Sequence, residues 1–168
     1  MDYRKYQQSR DAAWHILIDL KISALPVSVT KICKELNIEV KLYEPKDEND
    51  GFSYIKDGKA YIFISKYSSV QRQRFTAAHE LGHLILGSDE QEANVFASRL
   101  LAPACVLWGL GVTDAQQITE LCDISLQAAE FRMKRMQELY ARNKFLISPL
   151  EQAVYKQFDL FIKNNKIR

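Results

Sequence analysis

Val70-Gln71-Arg72-Gln73-Arg74-Phe75-Thr76-Ala77-Ala78-His79-Glu80-Leu81-Gly82-His83-Leu84-Ile85-Leu86 is the stretch on which the reading of this 168-residue chain turns. Phe75, Ala78, Leu81, Gly82 and Ile85 recur at helical spacing, and their apolar or small side chains mark a core helix. An unpaired histidine or carboxylate would be costly in such a helix. His79 and His83 are four apart, so their imidazoles lie one turn apart on one face and can converge on a single ion. Neutral imidazole suits Zn²⁺, and a metal with coordination positions left free binds water and lowers its pKa to about 7. Glu80, beside the two histidines, can take the water's proton as it attacks a carbonyl carbon and pass it to the leaving nitrogen. The His79-Glu80-Leu81-Gly82-His83 segment therefore points to zinc-dependent hydrolysis of peptide bonds, with Glu80 as catalytic base.

A catalytic zinc of this kind wants a third protein ligand, and Glu90 and Glu92 follow just past the Gly87-Ser88 break. At 100° per residue, the stripe formed by Ala93, Ala97, Leu100 and Leu101 includes Glu90 within about 40° of its centre, whereas Glu92 points about 120° away. Glu90 reads as the inward carboxylate and Glu92 as a solvated charge. Asn94 shares the face of Glu90 and can hydrogen-bond a ligating side chain.

Working outward, two helical stretches open the chain at residues 11–20 and 28–36, with Pro26 between them. Three strand-like runs follow at 38–43, 52–55 and 60–64, and Asp57-Gly58 between the last two is a hairpin turn signal. Beyond residue 69 the period is helical, over 70–86, 90–102, 115–122, 126–144 and 150–163, punctuated by Gly87, Pro103, Gly109, Gly111 and Pro149. The expected fold is α+β: a small antiparallel sheet beside a mostly helical body that carries the active-site helix. A single zincin-like domain over 1–168 is expected. It comprises N-terminal helices and first strand (1–43), sheet and zinc-site helices (51–103) and C-terminal helices (113–168).

Composition narrows the function classes. Cys33, Cys105 and Cys122 are odd in number and far apart, so reduced, partly buried thiols are expected rather than a zinc knuckle or redox pair. The opening residues carry no apolar leader, and no apolar run nears the ~18 residues needed to span a bilayer, so a cytoplasmic protein without membrane contact is the expectation. Net charge is only +2, but residues 125–168 hold nine Lys/Arg against four Asp/Glu. Within that region, residues 118–136 have the outline of a helix-turn-helix, with Ser125 as N-cap and Arg132, Lys134 and Arg135 as its exposed cations. Asp123 stands where such turns often use glycine. The alternative is thus a DNA-binding regulatory module whose zinc site is structural, although structural zinc normally has four closed, sulfur-rich ligands. DNA binding is possible but not favoured. His15, isolated in an amphipathic helix, and Tyr54 and Tyr61, on strands, read as structural.

Residues 74–83, followed by Glu90-Gln91-Glu92-Ala93-Asn94-Val95-Phe96-Ala97 and Leu100-Leu101-Ala102-Pro103, resemble the ImmA/IrrE-type metallo-endopeptidases. The resemblance covers about residues 52–103, and Asp50-Gly51-Phe52-Ser53 and Ala60-Tyr61-Ile62 look like that family's run into the active-site helix. It implies zinc on His79, His83 and Glu90, with Glu80 as general base. The stretch between His83 and Glu90 is shorter than in many relatives and forces a tight turn. The resemblance further implies a protein substrate, a helix-turn-helix repressor. Its cleavage would derepress transcription in a mobile element, a phage or a stress response.

Overall fold

In the computed structural model, which describes residues 2–87 and 89–167, the chain opens with helices α1 (Tyr3–Asp19) and α2 (Val29–Glu35). Strands β1 (Ile38–Tyr43), β2 (Gly51–Lys56) and β3 (Lys59–Ser65) follow. The remainder is helical: α3 (Val70–Leu86), α4 (Glu90–Leu101), α5 (Ala104–Leu110), α6 (Ala115–Cys122), α7 (Leu126–Ala141), α8 (Pro149–Gln157) and α9 (Asp159–Asn165). At several helix ends a side chain or a glycine satisfies the orphan backbone groups. Ser69, Ser125 and Ser148 accept N–H bonds at the starts of α3, α7 and α8, and Gly87, at φ 58°, closes α3. Ser88, part of the expected break after α3, lies outside the described residues.

Two compact units result, the first holding the described residues up to Ala13 with Ser28–Ala97, the second Trp14–Val27 with the described residues from Ser98 onward. In the first, the three strands form a sheet of order β1-β3-β2. β2 and β3 are the antiparallel hairpin expected from Asp57-Gly58, both of which take positive φ. β1, however, pairs parallel to β3, so the sheet is mixed rather than antiparallel. The physical reason is burial. Tyr61-Ile62-Phe63-Ile64 is the most apolar strand run and takes the centre, while polar residues 44–50 carry the chain to its far side before β2 begins. Ile62 and Ile64 are buried, and α3 packs on the sheet. Tyr61 and Phe63 point the other way and stack with Tyr54 and Phe52 of β2, with the Phe52 and Phe63 ring centroids 4.9 Å apart. The packing reading of Tyr54 and Tyr61 fits these contacts.

Two glycines set how closely elements approach α3. A Cβ on Gly51 would lie 2.5 Å from Thr76 Cγ2 and 2.6 Å from the Phe63 carbonyl oxygen. One on Gly82 would lie 3.1–3.3 Å from Phe96 and Ala93 of α4. β2 can therefore sit this close to α3 only because Gly51 lacks a side chain, whereas a methyl at Gly82 would require Phe96 and Ala93 to give by a few tenths of an ångström.

The second unit contains α5, in a stretch to which the sequence assigns no element and where Pro103, Gly109 and Gly111 read as punctuation between helices. Gly111 is in fact the left-handed C-cap of α5 (φ 78°). A Cβ on Gly109 would meet Tyr155 at 2.6 Å and Ile162 at 2.9 Å, so that glycine serves close packing on α8 and α9. Helix 150–163 of the sequence reading is two helices, broken at the fully buried Phe158. α6 and α7 flank a turn at Asp123, which adopts φ 51°, the conformation glycine would take. The three cations expected on the surface of α7 differ. Arg132 is 3% exposed and its Nε donates to the Ala102 carbonyl at 2.7 Å, Arg135 is half-buried and bonds Glu138, and Lys134 is exposed.

By length and hydropathy Glu90–Leu110 could cross a membrane, contrary to the expectation that no run comes close. It is interrupted between α4 and α5, and 72% of its apolar window is buried inside the protein, as in a core helix.

Candidate active site

α3 carries His79, Glu80 and His83 at the positions the sequence assigns them. The two Nε2 atoms face each other at 3.0 Å. Close packing of α4 at Gly82 brings its first turn over them. Glu90 Oε2 lies 3.1 Å from His79 Nε2, and Glu90 Oε1 lies 3.1 Å from His83 Nε2. One ligand atom from each residue fits within 4.8 Å, close enough to hold one metal ion. Asn94, one turn along α4, accepts a hydrogen bond from His79 Nδ1 at 3.0 Å. That bond places the proton on Nδ1 and leaves the Nε2 lone pair aimed at the cluster.

Glu90 meets the histidines as expected, but from a different position. Its side chain is 78% exposed, hanging over the mouth of the site from the start of α4, whereas that of Glu92 is only 13% exposed. Glu92 is not the free solvated charge the helical wheel suggests. Its Oε2 accepts from the Asp89 backbone N–H while Asp89 Oδ1 accepts from the Glu92 N–H, a reciprocal capping box, and Lys5 pairs with both carboxylates. The signal Asp89-x-x-Glu92 was present in the sequence.

Glu80 is 8% exposed and accepts a 2.7 Å hydrogen bond from the Ser53 hydroxyl of β2, a residue the sequence reading placed only in the run-in to the helix. An open cavity of about 490 Å³ is lined by His79, Glu80, Glu90 and Asn94 together with Asp50, Gly51 and Arg72. Arg72 and Ser68 bond the Asp50 carboxylate at 2.7 Å each and hold its pKa below the ordinary range, Arg72 most strongly. A larger groove of about 790 Å³, among α2, β1 and α3, is lined by none of the cluster residues. The chemistry belongs to the smaller one.

His15 lies on the exposed side of α1, in none of these contacts. Cys33, Cys105 and Cys122 are all free and buried, as expected. Burial pushes the Cys33 and Cys105 thiols up to about 11 and about 12.

Comparison with known proteins agrees with this arrangement. None of the curated proteins compared with the chain matches it. The profile of the IrrE N-terminal-like domain, Peptidase_M78, matches residues 33–134, which is more than half of the chain and includes every residue of the cluster. With two histidines and a glutamate gathered beside a buried glutamate on α3, the chain belongs to the Peptidase_M78 family and is a metallopeptidase.

Proposed function

We propose that the protein is a cytoplasmic zinc endopeptidase that cuts a helix-turn-helix repressor at one or very few sites and so derepresses transcription in a mobile element, a phage or a stress response. The observation that carries the zinc reading is the convergence of His79 Nε2, His83 Nε2 and the Glu90 carboxylate on one point beside Glu80. Two imidazoles and a carboxylate are a donor set suited to Zn²⁺, and three protein ligands at an open mouth suit a catalytic rather than a closed structural site. When bound there, zinc polarises the scissile carbonyl and supplies an acidified water. The chain's own groups do the rest. Asn94 fixes the His79 tautomer, Glu80 accepts the water's proton as the carbonyl carbon is attacked, and Glu80 returns it to the amine as the C–N bond breaks. The helix-turn-helix substrate rests on the family resemblance.

The DNA-binding alternative loses support on α7. With Arg132 buried, the exposed face combines Glu130, Phe131 (72% exposed) and Lys134, a poor match to phosphate. The test is to load the purified chain with zinc and incubate it with the regulator encoded beside its gene, and with casein. One or two fragments of the regulator, abolished by a chelator and restored by zinc, are expected, with little casein turnover. Indiscriminate digestion of casein, or no metal-dependent cut in the regulator, would overturn the proposal.

A further inference from the structure

We infer that Ser53 is a positioning residue for the catalytic base, holding one oxygen of Glu80 so that the other stays free for the water proton. This deepens the proposed peptidase reading and rests on it. The geometry starts from two periodicities. Gly51 and Ser53 are two apart on β2 and share a face, about 6.6–6.8 Å apart along the strand, while Thr76 and Glu80 are one turn apart on α3, about 6 Å. The two repeats nearly match, so a strand laid along the helix meets it twice. Gly51 sits on Thr76, with room for no side chain, and Ser53 then falls opposite Glu80, where its hydroxyl donates to Oε2 at 2.7 Å.

Register on the sheet side is equally fixed. Ser53 pairs with the fully buried Ile62, so the hydroxyl points toward α3, whereas Phe52 and Tyr54 join the aromatic stack on the opposite face. Ser53 is thus a polar residue on an inward face, and its hydroxyl is spent on the one buried carboxylate of α3. A carboxylate with one oxygen held cannot swing its plane freely, and its remaining oxygen is the proton acceptor. The bond acts on Glu80 alone and touches no atom of the cluster that would hold the metal.

The experiment compares Ser53→Ala, Ser53→Thr and Glu80→Gln in the full chain, with the regulator encoded beside the gene as substrate. Metal content should be unchanged in Ser53→Ala, with kcat lower by about 10- to 100-fold and KM within about two-fold. Ser53→Thr, which keeps the hydroxyl, should recover most of the loss. A second readout needs no turnover. In denaturant unfolding, Ser53→Ala and Glu80→Ala should shift the midpoint non-additively, because each removes the same bond. Strict additivity in that cycle, or a threonine variant no better than alanine, would overturn the inference. If Glu80→Gln is inactive while Ser53→Ala keeps full kcat, this inference alone falls. If Glu80→Gln cleaves as fast as the unaltered chain, Glu80 is not the base and the proposed mechanism falls with this inference; if the unaltered chain makes no metal-dependent cut, the proposed function falls instead.

Discussion

The corner where α4 meets α3 and the pair α6–α7 each bring polar side chains to a helix face, and they use them in opposite ways. At the corner, His79, His83, Glu90 and Asn94 bond one another at 3.0–3.1 Å, and His79, Glu90 and Asn94 line an open cavity, so their interactions converge on a point where a ligand can enter. On α7, Arg132 is turned inward and spends its Nε on the Ala102 carbonyl, while Ser125 caps the helix and Arg135 pairs with Glu138 three residues on. The corner keeps donors available; α7 consumes them in holding the fold. Helical spacing states which side chains meet, and so reveals the first case. Counting charges states nothing about direction, and so misreads the second.

The most severe way to break this comparison is to remove the corner's chemistry while keeping its shape. Glu80→Gln should retain about one zinc per chain yet lose cleavage by about 10²- to 10⁴-fold, because the amide accepts no proton. His79→Ala and His83→Ala should lose metal as well, read by metal analysis after dialysis. Metal-replete Glu80→Gln with full activity would show that Glu80 is not the base.

A sharper cut separates the two glutamates of α4. Competitive chelator titration should show zinc affinity reduced by at least 10- to 100-fold in Glu90→Ala and unchanged in Glu92→Ala. Thermal unfolding should rank them the other way. Glu92→Ala loses half of the capping box and its contact with Lys5, for about 1 kcal/mol, while Glu90, exposed over the mouth, should cost less. If Glu92→Ala also released zinc, the division between ligand and cap would be wrong.

These two residues also show how far the sequence was legible. The wheel brought Glu90 to the histidines, but it assumed that a ligand must be buried. A carboxylate at the first turn of a helix can reach over its neighbour from the solvent side, so burial and approach to the histidines part company. β2, β3, α3 and α6 were legible because a turn signal or an uninterrupted period marks each. The parallel pairing of β1 was not, since no local turn joins β1 to β3 and the choice depends on which strand is buried most. α5 was hidden by glycines that serve packing and capping rather than a loop. Arg132 was legible after all. It shares a helix face with the buried Ala129, Met133 and Met136, and that apolar stripe marks its direction.

On α7 the comparison predicts stability effects in place of catalytic ones. Arg132→Ala should destabilise by about 2–3 kcal/mol, since a charged donor bonded to a buried carbonyl is lost together with the packing of its stem. Lys134→Ala should stay within about 0.5 kcal/mol. Neither should alter zinc affinity. Denaturant midpoints that rank Lys134 above Arg132 would return α7 to a surface role, and salt-dependent binding of duplex DNA lost in Lys134→Glu would revive the DNA reading.

The finest test uses two cysteines as local reporters, Cys33 in the first unit and Cys105 in the second. Burial raises their thiols to about 11 and about 12, so at pH 8 only about one in 10³ and one in 10⁴ native molecules carries the reactive thiolate. Both thiols are also fully buried, so labelling by iodoacetamide, followed peptide by peptide in a mass spectrometer, should be slow while the fold stays closed. Arg132→Ala gives the informative case. The Arg132 cation lowers the Cys105 pKa, so its removal pushes the native thiol further up and would by itself slow labelling. Faster labelling of Cys105 in this variant can come only from opening of the structure around it. We expect that acceleration at Cys105, with Cys33 changed much less and the Glu90→Ala variant leaving both protected. Equal acceleration of both thiols in Arg132→Ala would mean that α7 and the corner of α3 and α4 open together, and the contrast between them would then hold for chemistry but not for stability.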